Sequence, residues 1–128
     1  MSLKSPLGRV LGLGSAKEGA AHWWSTRLAA VALVPLLVWL VLALLMAPSL
    51  DYAGLHAFVR APLNALGLVL LLPVAAYHSL LGVREVVEDY VHAKGTKVLV
   101  LVLLDFAHVG AAVAGLYAVL RVSFGGSP

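Results

Sequence analysis

The sequence predicts an all-α membrane protein, folded as a single domain over residues 1–128, with three transmembrane helices. Two observations predict this fold class: 62% of the residues are hydrophobic, and only 12% are charged. Soluble domains are about 45–50% apolar and about 25% charged. A chain this short cannot bury so much apolar surface in water, because small domains bury the smallest share of their surface. The composition therefore excludes an ordinary soluble domain.

Charged residues divide the chain into three long apolar runs. The runs are residues 28–46, 61–83 and 98–120, the last interrupted only by Asp105. About 20 apolar residues suffice to cross a hydrocarbon core of about 30 Å. The transmembrane helices predicted from these runs cover about residues 24–46, 61–89 and 97–121. An irregular arm is predicted over residues 1–21, and residues 47–60 are predicted to form a loop with one turn at the membrane interface.

The basic residues predict the orientation of the spans. Seven of the nine Lys and Arg residues lie before the first span or between the second and third. Because basic residues accumulate on the cytoplasmic side, the N-terminus is predicted to be cytoplasmic and the C-terminus outside. The first span is too long, and too far along the chain, for a cleaved signal peptide. The net charge of +3 favours anionic lipid headgroups, and not nucleic acid, as the counter-charge.

The absence of cysteine restricts the cofactors that the chain can hold. It excludes disulfides, thiolate zinc sites, iron–sulfur ligation and covalent c-type haem attachment. Any metal or cofactor must then be held by histidine, methionine or carboxylate side chains. The five histidines are therefore the first candidate ligands.

Ionisable residues within or next to the spans are the main functional candidates, since they are costly in lipid. His78 lies in the second span, with Gly82 one turn further on the same face, where a missing side chain leaves room for a flat ring. Asp89 returns to this face, and Tyr90 follows, about 18 Å along the helix from His78. His78 either binds a metal or haem iron or hydrogen-bonds another helix. Asp89 and Tyr90 are either a reactive acid–phenol pair or an interfacial anchor.

Two further groups of polar residues leave alternatives open. The segment from His22 to Arg27 contains two tryptophans and is either an aromatic belt or a site where Arg27 pairs with a carboxylate such as a haem propionate. In the third span, Asp105 either pairs with His108, three residues on, or meets a polar group of another helix. A stripe of small residues on the same span predicts close helix packing: Ala107, Ala111 and Gly115.

The stretch from Tyr77 to His92, YHSLLGVREVVEDYVH, resembles the second helix of the hydrophobic membrane anchor subunits of succinate dehydrogenase, the D subunits of respiratory complex II. The specific features are a histidine, a glycine four residues later, and Asp-Tyr eleven and twelve residues later. The stretch HWWSTRLAAVA, which begins at His22, is similar to the start of the first helix in that family. The resemblance extends over residues 15–121.

The resemblance implies a role for individual residues. It implies that His78 is one axial ligand of haem b, with the other ligand supplied by the cytochrome b subunit. Tyr90 would hydrogen-bond a ubiquinone carbonyl, and Asp89 would be tied to quinone protonation. Arg27 and His22 would lie near the haem propionates. Asp105 and His108 match no functional position of the family.

The resemblance also implies partners and a location. The chain would belong to a heteromeric helical bundle with the cytochrome b, iron–sulfur and flavoprotein subunits. It would contribute to succinate:ubiquinone oxidoreduction through its part of the quinone site, without a catalytic centre of its own. The expected location is the bacterial cytoplasmic (inner) membrane, in preference to the mitochondrial inner membrane.

Two other classes of protein are compatible with the residues. In a small transport or channel subunit, His78, Asp105 and His108 would form a proton or ion path. In a structural membrane adaptor, none of these residues would hold a cofactor. A b-type absorption spectrum of the purified complex distinguishes the anchor subunit from both alternatives.

Overall fold

The computed structural model describes residues 16–125, with side-chain detail from Ala20 onward, and contains four helices and no strand in this range. The helices are α1 (Ala16–Leu45), α2 (Tyr52–Arg60), α3 (Pro62–Tyr90) and α4 (Lys94–Phe124). Three of them are long and apolar enough to cross a membrane: α1 from Ala20, α3 and α4. The predicted all-α membrane fold with three spans is therefore confirmed. The side of the membrane on which each helix ends stays a prediction.

Helix α1 begins at Ala16, well before the predicted start near residue 24. Alanine, lysine and glutamate are strong helix formers, and no proline interrupts the chain before Pro35. Residues 16–21 are thus helical, which corrects the predicted arm at its inner end. Residues 1–15 of that arm lie outside the described part of the chain.

Helix α2 occupies most of the segment that the sequence predicted as a loop. Asp51 caps the helix: its side chain accepts a hydrogen bond of 2.7 Å from the Gly54 amide and one of 2.8 Å from the Ser49 hydroxyl. Both hydrogen bonds lower the pKa of Asp51, and the bond from the Gly54 amide has the larger effect. The stability that the ionised Asp51 cap gives to α2 is therefore fully present above the usual pKa of an aspartate. It is lost as the pH falls through the lowered pKa.

Helix α3 lies at the centre of the bundle and packs antiparallel against α1 on one side and α4 on the other. Gly67 allows the closest approach to α1, because a Cβ atom there would overlap the six-membered ring of Trp39. On the other side, a Cβ at Gly115 of α4 would lie 3.2 Å from Leu72. Within residues 16–125, α1 and α4 have no close backbone approach to each other. Part of α3 between them is therefore not covered by this chain.

Very little of the chain is buried within itself. Five apolar residues are the buried core of the described part: Ala29, Leu71, Leu81, Val87 and Val119. Large apolar side chains are exposed along all three long helices, for example Val34, Leu66 and Val109. In water such exposure would be strongly unfavourable, whereas lipid or another helix covers it at no such cost.

Candidate functional site

His78 lies on α3 inside the apolar run, about 24 Å along the axis from the start of the helix. The Nδ1 atom of its imidazole is buried and has no hydrogen-bond partner among the described residues. A buried ring nitrogen normally has a partner, and each exception calls for an explanation. Among the described residues, His78 is therefore the one with a buried side-chain polar atom that lacks a partner.

Gly82 leaves open space one turn beyond His78 on the same face. A Cβ atom built at Gly82 would meet no described atom within 4 Å. This differs from Gly67 and Gly115, whose missing side chains admit a residue of a neighbouring helix of the same chain. The space beside Gly82 is consistent with the predicted room for a flat ring, and also with the helix of another subunit.

Asp89 and Tyr90 form the end of α3, which extends seven residues past the apolar run. Both side chains are exposed, and that of Tyr90 is 78% accessible. The helix end is linked to α4, because the Lys97 ammonium donates a hydrogen bond of 2.7 Å to the Glu88 carbonyl. A carboxylate and a phenol thus occupy successive positions at the end of α3. We call this side of the molecule the Tyr90 end.

The segment at the start of the first span is placed by two contacts. The Arg27 guanidinium lies over the ring of Trp23, 5.0 Å from its centroid, and Trp23 packs edge-on against Trp24. His22 reaches across to α3, with its Nε2 atom 3.0 Å from a carboxylate oxygen of Glu85. The pairs His22–Glu85 and Trp39–Gly67 set the antiparallel register of α1 and α3. In this register Arg27 lies at about the height of His78, and His22 lies nearer to the Tyr90 end.

Asp105 meets a polar group of another helix, which was one of the two alternatives for this residue. The Arg84 guanidinium of α3 donates to both of its carboxylate oxygens, and the bond from Nε to Oδ1 measures 2.9 Å. The geometry is bidentate, the strongest arrangement of this pair. His108 pairs separately: one ring nitrogen lies 2.8 Å from the Leu104 carbonyl and the other 3.3 Å from the Ser79 hydroxyl. No hydrogen bond joins Asp105 or His108 to His78 among the described residues.

Residues 84 and 85 are the functional candidates that the sequence did not single out as such. Because Arg84 and Glu85 are adjacent on α3, their side chains point about 100° apart. Arg84 binds Asp105 of α4, and Glu85 contacts His22 of α1. Arg84 and Glu85 lie just beyond the apolar run of α3. Charges of both signs flank the spans in the sequence, but their pairing depends on helix register.

The described residues contain no cluster of three or more His, Asp or Glu side chains able to hold a metal ion. A metal bound by this chain alone would need such a set. A haem iron differs, because the macrocycle supplies four ligands and the protein only the axial ones. One unpartnered imidazole beside an open glycine fits that demand, provided that another subunit supplies the second axial ligand.

Comparison with known proteins identifies the family. The family model described as the succinate dehydrogenase/fumarate reductase transmembrane subunit matches residues 1–114. The succinate dehydrogenase hydrophobic membrane anchor subunit of Paracoccus denitrificans is 33% identical over 123 residues, covering 94% of this chain and 93% of that protein. The subunit of the same name from Rickettsia conorii is 27% identical over 118 residues, covering 89% and 94%. No solved structure matches the chain.

These similarities span nearly the whole chain and include the stretch from His78 to Tyr90. They agree with a bundle of three membrane-crossing helices and with the scarcity of buried residues within the chain. The chain therefore belongs to the succinate dehydrogenase/fumarate reductase transmembrane subunit family, as a membrane anchor subunit of succinate dehydrogenase.

Proposed function

We propose that this anchor subunit binds haem b and forms part of the site at which ubiquinone takes electrons from the iron–sulfur subunit. The observation that carries the proposal is His78, a part-exposed imidazole within a membrane span whose Nδ1 is buried against this chain, which leaves its second ring nitrogen, Nε2, as the candidate for an external ligand. An axial bond to iron through its other nitrogen would account for an imidazole at this depth. The second axial ligand would come from the cytochrome b subunit.

The described residues fit haem in two further respects. Gly82 leaves the face beside His78 open, and α1 and α4 leave part of α3 uncovered. Arg27 lies at about the height of His78, so its planar guanidinium is a candidate partner for a propionate. His22 is the weaker propionate candidate, because Glu85 already engages its Nε2. Haem, when bound, supplies a one-electron carrier within the membrane.

Tyr90 and Asp89 are the proposed contribution to the quinone site. Reduction of ubiquinone to ubiquinol takes two electrons and two protons, so the site needs a donor at the carbonyl and a supply of protons. The exposed Tyr90 phenol can donate to a quinone oxygen, and Asp89 beside it can take up and release protons. The electrons come from the iron–sulfur subunit, since this chain has no cysteine to hold a cluster.

The proposed assembly places the Tyr90 end on the cytoplasmic side of a bacterial inner membrane. The excess of basic residues at this end supports the orientation. The partners are the cytochrome b, iron–sulfur and flavoprotein subunits, together with membrane lipid. A transport path through His78, Asp105 and His108 has less support, because Arg84 and Ser79 engage the latter two residues.

Substitution of Tyr90 by phenylalanine tests the quinone assignment. Tyr90→Phe keeps the ring and deletes only the hydroxyl donor. One preorganised hydrogen bond to an oxygen that develops charge is worth about 10²–10³ in rate. Ubiquinone reduction by the purified complex should therefore fall strongly. Succinate oxidation with a soluble artificial acceptor should be unchanged, because it bypasses the quinone site.

Tyr52 offers a matched control for this experiment. It is 79% exposed, nearly the same as Tyr90, but lies on α2 at the opposite end of the bundle. Tyr52→Phe should leave both activities unchanged. Equal retention of both activities in Tyr90→Phe would mean that Tyr90 is only an interfacial anchor, and the quinone assignment would be withdrawn.

A further inference from the structure

The contact between His22 and Glu85 joins two titratable side chains across two helices near the Tyr90 end. The His22 Nε2 and Glu85 Oε1 atoms are 3.0 Å apart, and the side chains are 45% and 54% exposed. The pair is thus accessible on one side and lies between α1 and α3 on the other. Imidazole is the side chain whose charge most readily changes near neutral pH.

Glu85 does not pair with the arginine next to it. Arg84 directs its guanidinium to both oxygens of Asp105 on α4, so this arginine is committed to another carboxylate. Among the described residues, the hydrogen-bond partner of the Glu85 side chain is instead His22, which can both donate and accept a proton.

The helix places Glu85 next to the proposed quinone site. Glu85 and Asp89 are four residues apart on α3, so their Cβ atoms are about 5–6 Å apart on one face. We propose that His22 and Glu85 form a relay that passes protons from water to Asp89 during quinone reduction. The inference rests on the function proposed above for Asp89 and Tyr90, and it explains why a titratable pair occurs at this position.

The proton balance of the relay is simple. Each ubiquinone that receives two electrons from the iron–sulfur subunit takes two protons, one on each carbonyl oxygen. Each proton that leaves Asp89 is replaced from Glu85, then from His22, and finally from bulk water. Every group returns to its starting state after each transfer, and no further oxidant or reductant is needed.

Other charged and titratable groups lie in the same region. They are Arg27 on α1, Arg84, Glu88 and Asp89 on α3, His92 with its Nδ1 3.1 Å from the Tyr90 carbonyl, and Lys94, Lys97 and Asp105 on α4. Arg84 and Asp105 are paired with each other, and Lys97 donates to a backbone carbonyl. Arg27 lies over Trp23. Glu88 is exposed, and no described residue hydrogen-bonds its side chain.

The test uses Glu85→Gln and His22→Gln in the assembled, purified complex. Both variants keep a side chain able to hydrogen-bond across α1 and α3 but cannot pass protons near neutral pH. General acid–base groups contribute about 10²–10⁴ in rate, and because a relay acts at one remove, we expect ubiquinone reduction to slow about tenfold or more. The solvent isotope effect in D₂O should rise, because proton delivery becomes rate-limiting. Activity with a soluble artificial acceptor should not change.

Glu88→Gln is the matched control, because it removes the same charge from the same helix next to Asp89. It should leave both the rate and the isotope effect as they are in the unmodified complex. Equal slowing in Glu88→Gln and Glu85→Gln would overturn the relay in favour of a general charge effect. A slower rate with an unchanged isotope effect would also overturn it, since loss of structure alone predicts that result.

The outcomes separate this inference from the function on which it rests. Normal ubiquinone reduction in Tyr90→Phe, with slow and isotope-sensitive reduction in Glu85→Gln, would withdraw Tyr90 and retain the relay. Slow reduction in Tyr90→Phe, with normal reduction in both Glu85→Gln and His22→Gln, would withdraw the relay alone. If Glu85→Gln fails to assemble, His22→Gln decides the question by the same two measurements.

Discussion

His78 and His108 lie on neighbouring helices at almost the same height, and their environments separate their roles. The hydrogen bond between Ser79 and His108 places His108 level with the residue after His78. Both ring nitrogens of His108 are engaged, by Leu104 and Ser79. His78 has a buried nitrogen that no described residue satisfies. His78, which no described residue hydrogen-bonds at its buried nitrogen, is therefore the stronger candidate of the two for binding an external group.

This difference predicts the effect of removing each imidazole. His78→Ala should lower or shift the b-type absorption spectrum of the purified complex, because one axial ligand is lost; complete loss is not required, since the other ligand remains. His108→Ala should leave the spectrum unchanged and remove only a contact between α3 and α4. An unchanged spectrum in His78→Ala together with a loss in His108→Ala would assign the ligand to the third span.

At the scale of helices, the three spans were predictable from the sequence, because charged residues bound the second and third and Pro48 follows the end of the first. Arg60 and Arg84 bound one apolar run, and Lys97 and Arg121 bound another. Helix α2 was not predicted, although Asp51 precedes apolar Leu55, Phe58 and Val59 at helical spacing. Its polar residues and the nearby Pro48 obscured this short amphipathic pattern. The helix pairings His22–Glu85 and Arg84–Asp105 required the register, which no local pattern encodes.

The packing of α1 on α3 gives a prediction at this scale. A Cβ at Gly67 would overlap the Trp39 ring, so Gly67→Ala should force the helices apart. Overpacking costs about 1–3 kcal/mol, and the higher helix propensity of alanine offsets about 1 kcal/mol of it. The complex should therefore denature at a lower temperature in a thermal melt.

Truncation of the opposing ring serves as the control for this pair. Trp39→Leu alone leaves a gap and should also be destabilising. In the double variant the added methyl group occupies part of that gap, so the combined loss should be smaller than the sum of the two single losses. Strictly additive losses would show that Gly67 and Trp39 are not in contact in the assembled protein.

For the whole molecule, the main feature is the large apolar surface that the chain does not bury within itself and that lipid or another subunit must cover. Exposed apolar side chains can face lipid, but the part of α3 between α1 and α4 also has polar side chains. His78 is part-exposed, and Arg84 and Asp105 keep 38% and 39% of their side-chain surface accessible. Polar groups facing hydrocarbon are costly. A second subunit that covers α3 would relieve this cost and also bring the second axial ligand.

We therefore expect this chain to depend on its partner. Deletion of the cytochrome b subunit should leave the chain at low steady-state levels in the membrane, because its open face is then exposed to lipid and to proteolysis. Immunoblotting of membrane fractions, with a transcript measurement as control, tests this expectation. Re-expression of the cytochrome b subunit from a plasmid should restore the level of the chain. Accumulation of a well-folded monomer that purifies without any partner would contradict this expectation. In that case α1 and α4 would have to cover His78 and the open space beside Gly82 themselves.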